Sequence, residues 1–217
     1  MQQEVIIVGG GMVGLSLALM LAKQNIAVKL LEAIKYQNYD DANLAPYHSS
    51  FDARNSALSR RTVQIYQELG LWSALQEHAT PIFEVNITEQ GSFGKARLKA
   101  EQEKVESFGQ VIENAWLGRV LLTEVQKQPF IELIDGVQVT QLTQDADMAY
   151  IKASRGEEQL SLQAKLVIAA DGRDSFCRKA LGIGASEHDY DQVAIVTTVQ
   201  TSKPHNHVGF ERFSSLG

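Results

Sequence analysis

Cysteine, basic charge and clustered histidines are all scarce in this 217-residue chain. The single cysteine, Cys177, excludes an intrachain disulfide and fits a reducing, cytoplasmic setting. The net charge of −6 at pH 7 argues against nucleic acid as the main partner, which would need a basic face. His205 and His207 form a close pair without a third ligand type beside them, so we predict no metal site.

Charge is also missing from one long stretch, residues 5–22, which approaches the length of a membrane span. Three adjacent glycines interrupt this stretch, and Glu4 precedes it where a signal peptide would carry lysine or arginine. A buried strand, a turn and a helix explain the same residues better. We therefore expect neither a transmembrane segment nor a targeting peptide.

What the stretch does contain is a glycine fingerprint, G-x-G-x-x-G, at Gly9, Gly11 and Gly14. The first glycine permits a tight turn, the second lets the backbone approach a pyrophosphate, and the third lets the helix lie close to the strand. Glu32 follows a second apolar run. Its sequence spacing from the glycine fingerprint is that of the acidic residue that binds the ribose hydroxyls in dinucleotide sites. These residues predict an adenine dinucleotide site, NAD or FAD, although a purely structural glycine turn is the alternative.

The remaining hydrophobic pattern predicts an α/β fold. Apolar runs predict parallel strands at residues 3–8 and 27–32 and a further buried strand at 166–170. Helices are expected at residues 13–24, 59–70, 71–79, 116–128 and 175–181, a long loop at 33–53, half-exposed antiparallel strands at 83–99 and 193–200, and a strand with a β-meander at 131–164. Together they describe a Rossmann-like unit, a parallel sheet with helices and a β-meander, into which antiparallel sheet segments are inserted and to which others are appended.

A second pattern follows the strand at residues 166–170. Asp171 and Gly172 come directly after it, and Ser175 could cap the next helix. If this strand lies beside the first one, the Asp171 carboxylate shares a crevice with Gly11. An Asp-Gly turn followed by a capped helix is an equally good explanation from the residues alone.

The pattern Asp171-Gly172-x-x-Ser175-x-x-Arg178 resembles the second fingerprint of single-component FAD-dependent aromatic hydroxylases, the para-hydroxybenzoate hydroxylase fold family. Residues 51–59 (FDARNSALS) and 209–213 (GFERF) further resemble the ubiquinone-biosynthesis hydroxylases within it. The similarity extends along essentially the whole chain.

This resemblance implies FAD rather than NAD in the glycine site. It implies that Arg54 lies near the flavin and its phosphates, that Arg119 faces the cofactor from a helix, and that Asp171 lies near the pyrophosphate. Arg54 in a surface ion pair and Arg119 on a solvated helix face are the alternatives. The predicted cofactor-binding residues are Gly9, Gly11, Met12, Val13, Gly14, Glu32, Arg54, Arg119, Val139 (against the adenine), Asp171 and Gly172.

The implied activity is that of a flavoprotein monooxygenase. It would use NADPH or NADH and O₂ to hydroxylate the ring of a polyprenylated phenol in ubiquinone biosynthesis, with other proteins of that pathway as possible partners. Its location would be cytoplasmic or peripheral to the inner membrane. Residues 1–78 and 113–184 would form the FAD-binding domain, and residues 79–112 and 185–217 the substrate domain. No catalytic side chain is predicted, since the cofactor performs the difficult chemistry.

One element of the resemblance is missing. The family carries a third fingerprint, a Gly-Asp pair that holds the ribityl chain, and no Gly-Asp dipeptide occurs in this sequence. We therefore expect an N-terminal part of a longer protein, which alone binds FAD weakly or not at all. A NAD-dependent Rossmann oxidoreductase and a non-catalytic dinucleotide-binding or assembly module are the alternative functions.

Overall fold

A computed structural model describes residues 5–36 and 50–215. Spatial contacts divide the chain into two units, residues 1–52 with 115–195 and residues 53–114 with 196–217. Residues 53–78 thus group with the second unit, whereas the sequence analysis assigns them to the FAD-binding domain. Most of the predicted loop at 33–53, residues 37–49, lies outside the described residues.

Thirteen strands and five α-helices are distributed along the described residues. The strands are β1 (Val5–Val8), β2 (Val28–Leu31), β3 (Asn55–Ser59), β4 (Ala79–Pro81), β5 (Glu84–Glu89), β6 (Lys95–Lys99), β7 (Gly109–Glu113), β8 (Ile131–Ile134), β9 (Gln138–Gln144), β10 (Ala149–Arg155), β11 (Glu158–Ala164), β12 (Leu166–Ala169) and β13 (Val208–Phe213). The helices are α1 (Met12–Lys23), α2 (Arg60–Glu68), α3 (Trp72–Leu75), α4 (Asn114–Lys127) and α5 (Phe176–Ala180), with a 3₁₀ turn at Gln76–His78.

A four-stranded parallel sheet forms the centre of the first unit, in the order β12-β1-β2-β8. β1 and β12 are short continuous apolar runs, as expected for strands of a covered parallel sheet, whereas β2 and β8 each contain one charged residue, Lys29 and Glu132. Helix α1 packs against this sheet through Leu15, Ala18 and Leu19, which are buried. The predicted Rossmann-like arrangement is confirmed.

A β-meander of β9, β10 and β11 covers the sheet from the other side. Ile6 and Val8 of β1 join one buried cluster with Val139 and Ile151 of the meander. Because neighbouring side chains of a strand point to opposite faces, Val5 and Ile7 are left for the face that α1 covers. The sheet therefore lies between α1 and the β-meander. Because both faces are covered, the sheet is accessible at the ends of its strands.

The second unit contains two three-stranded sheets, in the orders β3-β7-β4 and β13-β5-β6. Helix α2 begins as predicted, with the Ser59 hydroxyl accepting a hydrogen bond from the Thr62 N–H at 3.2 Å. Strands β5 and β6 pair antiparallel, as expected. Strand β13, by contrast, joins β5 in parallel.

The predicted strand at residues 193–200 is wrong. These residues belong to no strand of the described structure, and the side chains of Val193 and Ile195 are each 91% exposed. Alternation of apolar and polar residues indicates which side of a strand could be buried, but a strand forms only where another strand supplies hydrogen bonds. Within residues 5–36 and 50–215, no strand lies beside this segment.

The uncharged stretch at residues 5–22 folds as predicted into β1, a turn and most of α1. Among the residues that the structure describes, no helix is both long and apolar enough to cross a membrane.

Candidate functional site

Three turns meet at one edge of the parallel sheet. Gly9, Glu32 and Asp171 follow β1, β2 and β12 closely, and β1 lies between the other two strands. Val8 is level with both Leu31 and Ala169 in the strand register, so the three turns begin at the same height. They border a cleft of about 530 Å³ at the carboxyl ends of the strands, where open α/β sheets bind ligands.

The glycines of the first turn are required by close packing. Gly9 has φ +107°, a conformation that disfavours any side chain, and a Cβ there would overlap the Ala170 carbonyl and come within 2.8 Å of the Asp171 Cα. A Cβ on Gly14 would overlap the Gly9 carbonyl. The third glycine therefore lets α1 start directly against the turn, as the fingerprint predicts.

Helix α1 presents its N-terminus without a side-chain cap. Gly11 occupies the capping position in an extended conformation and, having no side chain, supplies no capping hydrogen bond to the first turn. That turn also lacks an acidic residue. The first N–H groups of a helix have no partner inside it, so an end of this kind can bind an anion. Met12, half-buried, and Val13, 71% exposed, are the first two residues of this helix.

Glu32 is a buried carboxylate, with 6% of its surface exposed. Its Oε2 accepts a hydrogen bond from the Gly10 N–H at 2.5 Å, and its Oε1 accepts one from the Ile34 N–H at 2.8 Å. Two backbone donors therefore compensate the burial of this charge. Each carboxylate oxygen has a further lone pair, so Glu32, which borders the cleft, can still accept a hydrogen bond from a ligand hydroxyl.

The Asp171 carboxylate is turned towards the start of α5. Its Oδ1 accepts a hydrogen bond from the Ser175 hydroxyl at 2.6 Å, and its Oδ2 accepts one from the Cys177 N–H at 3.0 Å. Burial alone would raise the pKa of Asp171, but these hydrogen bonds outweigh it and hold the pKa below its usual value. Ser175 caps α5 by accepting from the Arg178 N–H at 3.0 Å. Asp171 thus borders the cleft and also braces the helix after it.

Cys177, whose N–H donates to the Asp171 carboxylate, is completely buried. Burial, followed by the neighbouring Asp171 charge, raises the pKa of its thiol to about 12. The thiolate that a nucleophile requires is therefore not formed at neutral pH. Cys177 acts as a small packing residue in the cluster between sheet and meander.

The structure brings together six of the predicted residues around the cleft. They are Gly9, Gly11, Glu32, Val139, Asp171 and Gly172. Arg119 lies on α4 of the same unit, with its guanidinium 5.6 Å from the centre of the Trp116 ring. Arg54 belongs to the second unit, where it is exposed and its carbonyl accepts a hydrogen bond from the Asn114 N–H at 2.9 Å. The predicted roles of Arg119 and Arg54 towards a flavin stay predictions.

The cleft also contains residues that sequence reasoning missed. They are Val8, Leu31, Ala33, Ile34, Ser50, Val137, Gln138, Ala170, Arg173, Asp174 and Phe176. Most are chain neighbours of the fingerprint residues and could have been included on that ground. Val137 and Gln138 have no such signal, because they reach the cleft from the start of the meander. The Val137 N–H donates to the Glu32 carbonyl at 2.9 Å, a pairing that no local pattern predicts.

Residues 2–213 match the sequence profile of a family described as "FAD binding domain". Two relatives with comparable identity are "Ubiquinone hydroxylase UbiL" of Rhodospirillum rubrum, 31% identical over 99% of this chain and 47% of its own length, and "3-demethoxyubiquinol 3-hydroxylase" of Escherichia coli, 30% identical over 99% of this chain and 52% of its own length. The chain thus spans about half the length of these relatives.

Solved structures with the same fold include the p-nitrophenol 4-monooxygenase PnpA from Pseudomonas putida, with a TM-score of 0.68, 23% identity, and coverage of 83% of this chain and 44% of that one. The anhydrotetracycline hydroxylase OxyS from Streptomyces rimosus has a TM-score of 0.70 and 24% identity, and covers 87% of this chain and 36% of its own. The family profile extends over nearly the entire chain, and the cleft has the glycine turn, helix end and acidic residue that an adenine dinucleotide requires. The chain belongs to the FAD-binding domain family.

Proposed function

We propose that the chain is the cofactor-binding part of a flavoprotein monooxygenase that hydroxylates the ring of a polyprenylated phenol in ubiquinone biosynthesis. The observation that carries the proposal is the cleft at the ends of β1, β2 and β12, found in a chain whose relatives include proteins named as a ubiquinone hydroxylase and a demethoxyubiquinol hydroxylase. The reductant would be NADPH or NADH, and O₂ would supply the oxygen atom. Other ubiquinone-biosynthesis proteins would be its partners, at the inner membrane or in the cytoplasm.

The residues of the cleft fit the adenosine and pyrophosphate part of FAD. The uncapped N-terminus of α1, at Gly11, Met12 and Val13, would bind the pyrophosphate. Glu32 would accept hydrogen bonds from the ribose, and Val139 would contact the adenine. Gly9 and Gly14 let the turn and the start of α1 pack closely, since a side chain on either would overlap backbone atoms.

The chain's own contribution would be binding, orientation and exclusion of water, while bound FAD supplies the redox chemistry. Asp171 and Gly172 would border the pyrophosphate. Because Ser175 and Cys177 already hold the Asp171 carboxylate, that carboxylate would act by fixing the turn rather than by moving a proton. Arg54 and Arg119 would contact the flavin side of the cofactor.

A hydroxylation assay tests this function. The longest natural polypeptide that contains the chain would be incubated with FAD, a prenylated phenol, and NADPH or NADH. One set of reactions would be run under air and a parallel set without oxygen. We expect yellow protein with flavin absorption, and a hydroxylated product that forms only with oxygen and contains its label from ¹⁸O₂. Protein that binds no flavin and forms no oxygen-dependent product would contradict the proposal.

A second candidate, a non-catalytic FAD-binding or assembly module, needs no more than the dinucleotide cleft itself. The same assay distinguishes the two. Flavin bound in stoichiometric amount, without oxidation of the reduced nicotinamide or of the phenol, would indicate the binding module.

A further inference from the structure

Tyr36 is a buried residue that neither the fingerprint nor the cleft includes. Only 2% of its surface is exposed, although it lies four residues after Glu32 in a segment without regular secondary structure. Its hydroxyl donates a hydrogen bond to the carbonyl of Gly10, the middle residue of the glycine turn. A tyrosine buried with its hydroxyl bonded to a fingerprint peptide requires an explanation beyond packing.

Gly10 is held from both sides. Its carbonyl accepts from the Tyr36 hydroxyl, and its N–H donates to the Glu32 carboxylate at 2.5 Å. A Cβ on Gly10 would overlap the Tyr36 hydroxyl and come within 2.9 Å of the Glu32 Cβ. Gly10 must therefore be a glycine, because the Tyr36 hydroxyl and the Glu32 side chain leave no room for a Cβ. Its backbone is hydrogen-bonded to both side chains and so links them.

Tyr36 is itself fixed by further contacts. Its N–H donates to Asp135 Oδ2 at 3.0 Å, and its ring stacks on Phe51 with centroids 6.4 Å apart and planes inclined by 11°. Phe51 in turn lies against Gly118 of α4, where a Cβ would overlap its ring. The position of the Tyr36 ring is thus set by α4, through Phe51, and by Asp135 in the turn after β8. From this position its hydroxyl reaches Gly10.

We infer that Tyr36 is a positioning residue of the dinucleotide site: by holding the Gly10 carbonyl, it fixes the backbone conformation at Gly10, the residue whose N–H orients the Glu32 carboxylate towards the ribose of the ligand. Among the donors to Glu32 are the Gly10 and Ile34 N–H groups, and Gly10 is the residue whose carbonyl the Tyr36 hydroxyl holds. Without the Tyr36 hydroxyl, the peptide after Gly10 can rotate about the glycine Cα, the turn loses its fixed conformation, and the Gly10 N–H no longer holds Glu32 in one orientation. The inference rests on the proposed dinucleotide role of the cleft.

The test measures selectivity for ribose hydroxyls. ADP and 2′,3′-dideoxy-ADP, together with FAD, would be titrated into the wild-type chain and the Tyr36→Phe variant by calorimetry or NMR. The wild type should prefer ADP over the dideoxy compound by about tenfold, because Glu32 accepts hydrogen bonds from the hydroxyls. In Tyr36→Phe this ratio should fall to roughly two- or threefold, with weaker FAD binding.

Tyr150→Phe is the matched control, since it removes a hydroxyl that donates to Asp145 at 2.7 Å in the same unit, away from the cleft. Its ADP preference should equal that of the wild type. A loss of thermal stability in Tyr36→Phe with an unchanged ADP preference would indicate packing alone and overturn the inference. If Tyr36→Phe does not fold, Asp135→Ala, which removes the acceptor of the Tyr36 N–H, should reduce the same ratio; an unchanged ratio there would also overturn it.

The experiment separates two failures. A wild-type chain that binds neither FAD nor ADP at millimolar concentration would contradict the proposed dinucleotide site and, with it, the role of Tyr36. A wild-type chain that binds both ligands and prefers ADP, alongside a Tyr36→Phe variant with the same preference, would contradict the role of Tyr36 alone.

Discussion

The fingerprint glycines Gly9 and Gly14 are constrained by backbone atoms, unlike Gly10, which side chains constrain. Gly14 illustrates this, because the atom that a Cβ would overlap is the Gly9 carbonyl oxygen. A side chain can rotate away from a new methyl group, whereas a carbonyl in a turn between β1 and α1 cannot. A side chain at Gly14 would therefore force α1 to move away from the turn, which would destabilise the packing of the helix.

Gly14→Ala should destabilise the first unit by about 1–3 kcal/mol, the usual cost of overpacking, and should weaken FAD binding at the same time. Urea unfolding and ligand titration would measure the two effects. Gly184→Ala is the matched control, because no atom lies within 4 Å of a Cβ there, and its change should stay within about 0.5 kcal/mol. Equal stability of the two variants would show that α1 does not lie as close to the turn as the structure indicates.

Cys177 should be inert in the folded chain. Its complete burial, and a thiol pKa raised to about 12 by that burial and by Asp171, predict little reaction with a thiol reagent at pH 8. Reaction should become rapid in urea above the unfolding midpoint. Complete modification of the native chain within minutes would contradict the burial of this residue.

At the scale of elements, α5 depends on the strand before it. Asp171 ends the β12 turn and accepts hydrogen bonds from Ser175 and Cys177, so the charge that borders the cleft also stabilises the helix start. Because the folded pKa of Asp171 is lowered, its contribution to stability is present above the unfolded value of 3.8 and is lost as the pH falls through the lower, folded pKa.

Asp171→Asn should therefore unfold at a lower urea concentration than wild type at pH 7, and the difference should shrink as the pH is lowered below 3.8. Urea unfolding curves at several pH values would measure this. Asp174→Asn, an exposed neighbour in the same turn, should leave the curve at pH 7 almost unchanged. A difference for Asp171→Asn that persists undiminished at pH 3 would show that its charge is not responsible.

How well each element could be predicted depended on where its stabilising contacts lie. β1, α1 and β2 were predicted within about two residues, because continuous apolar runs and glycines mark their ends locally. β3 was missed, since Asn55-Ser-Ala-Leu-Ser59 has little strand preference and is held by pairing with β7, some 50 residues away. Tyr36 was missed for the same reason, as its partner Gly10 is distant in sequence.

At the scale of the whole chain, the first unit contains the adenosine and pyrophosphate side of the proposed site. The family resemblance implies that a Gly-Asp pair holds the ribityl chain, and the sequence has none. The 217-residue chain should therefore bind FAD more weakly than any longer natural polypeptide that contains it. ADP, which needs only the cleft, should bind the two polypeptides within about threefold of each other, since the contacts are the same.

Gel filtration after incubation with FAD, followed by the ratio of flavin to protein absorbance, would measure this. Loss of the flavin from the 217-residue chain but not from the longer polypeptide is expected. Stoichiometric FAD retained by the 217-residue chain would contradict the prediction and would mean that the described cleft suffices.

The pairing of β12 with β1 has a consequence for the order of events during synthesis. Residues 166–169 must align with residues 5–8 before Asp171 can stand beside Gly9, so the first part of the fingerprint is translated long before its partner exists. Closing a loop of this length is slow compared with forming a local helix or hairpin. A nascent chain that ends before about residue 172 would have the glycine turn but no cleft. Ligand binding would therefore begin only after β12 has been synthesised and has paired with β1.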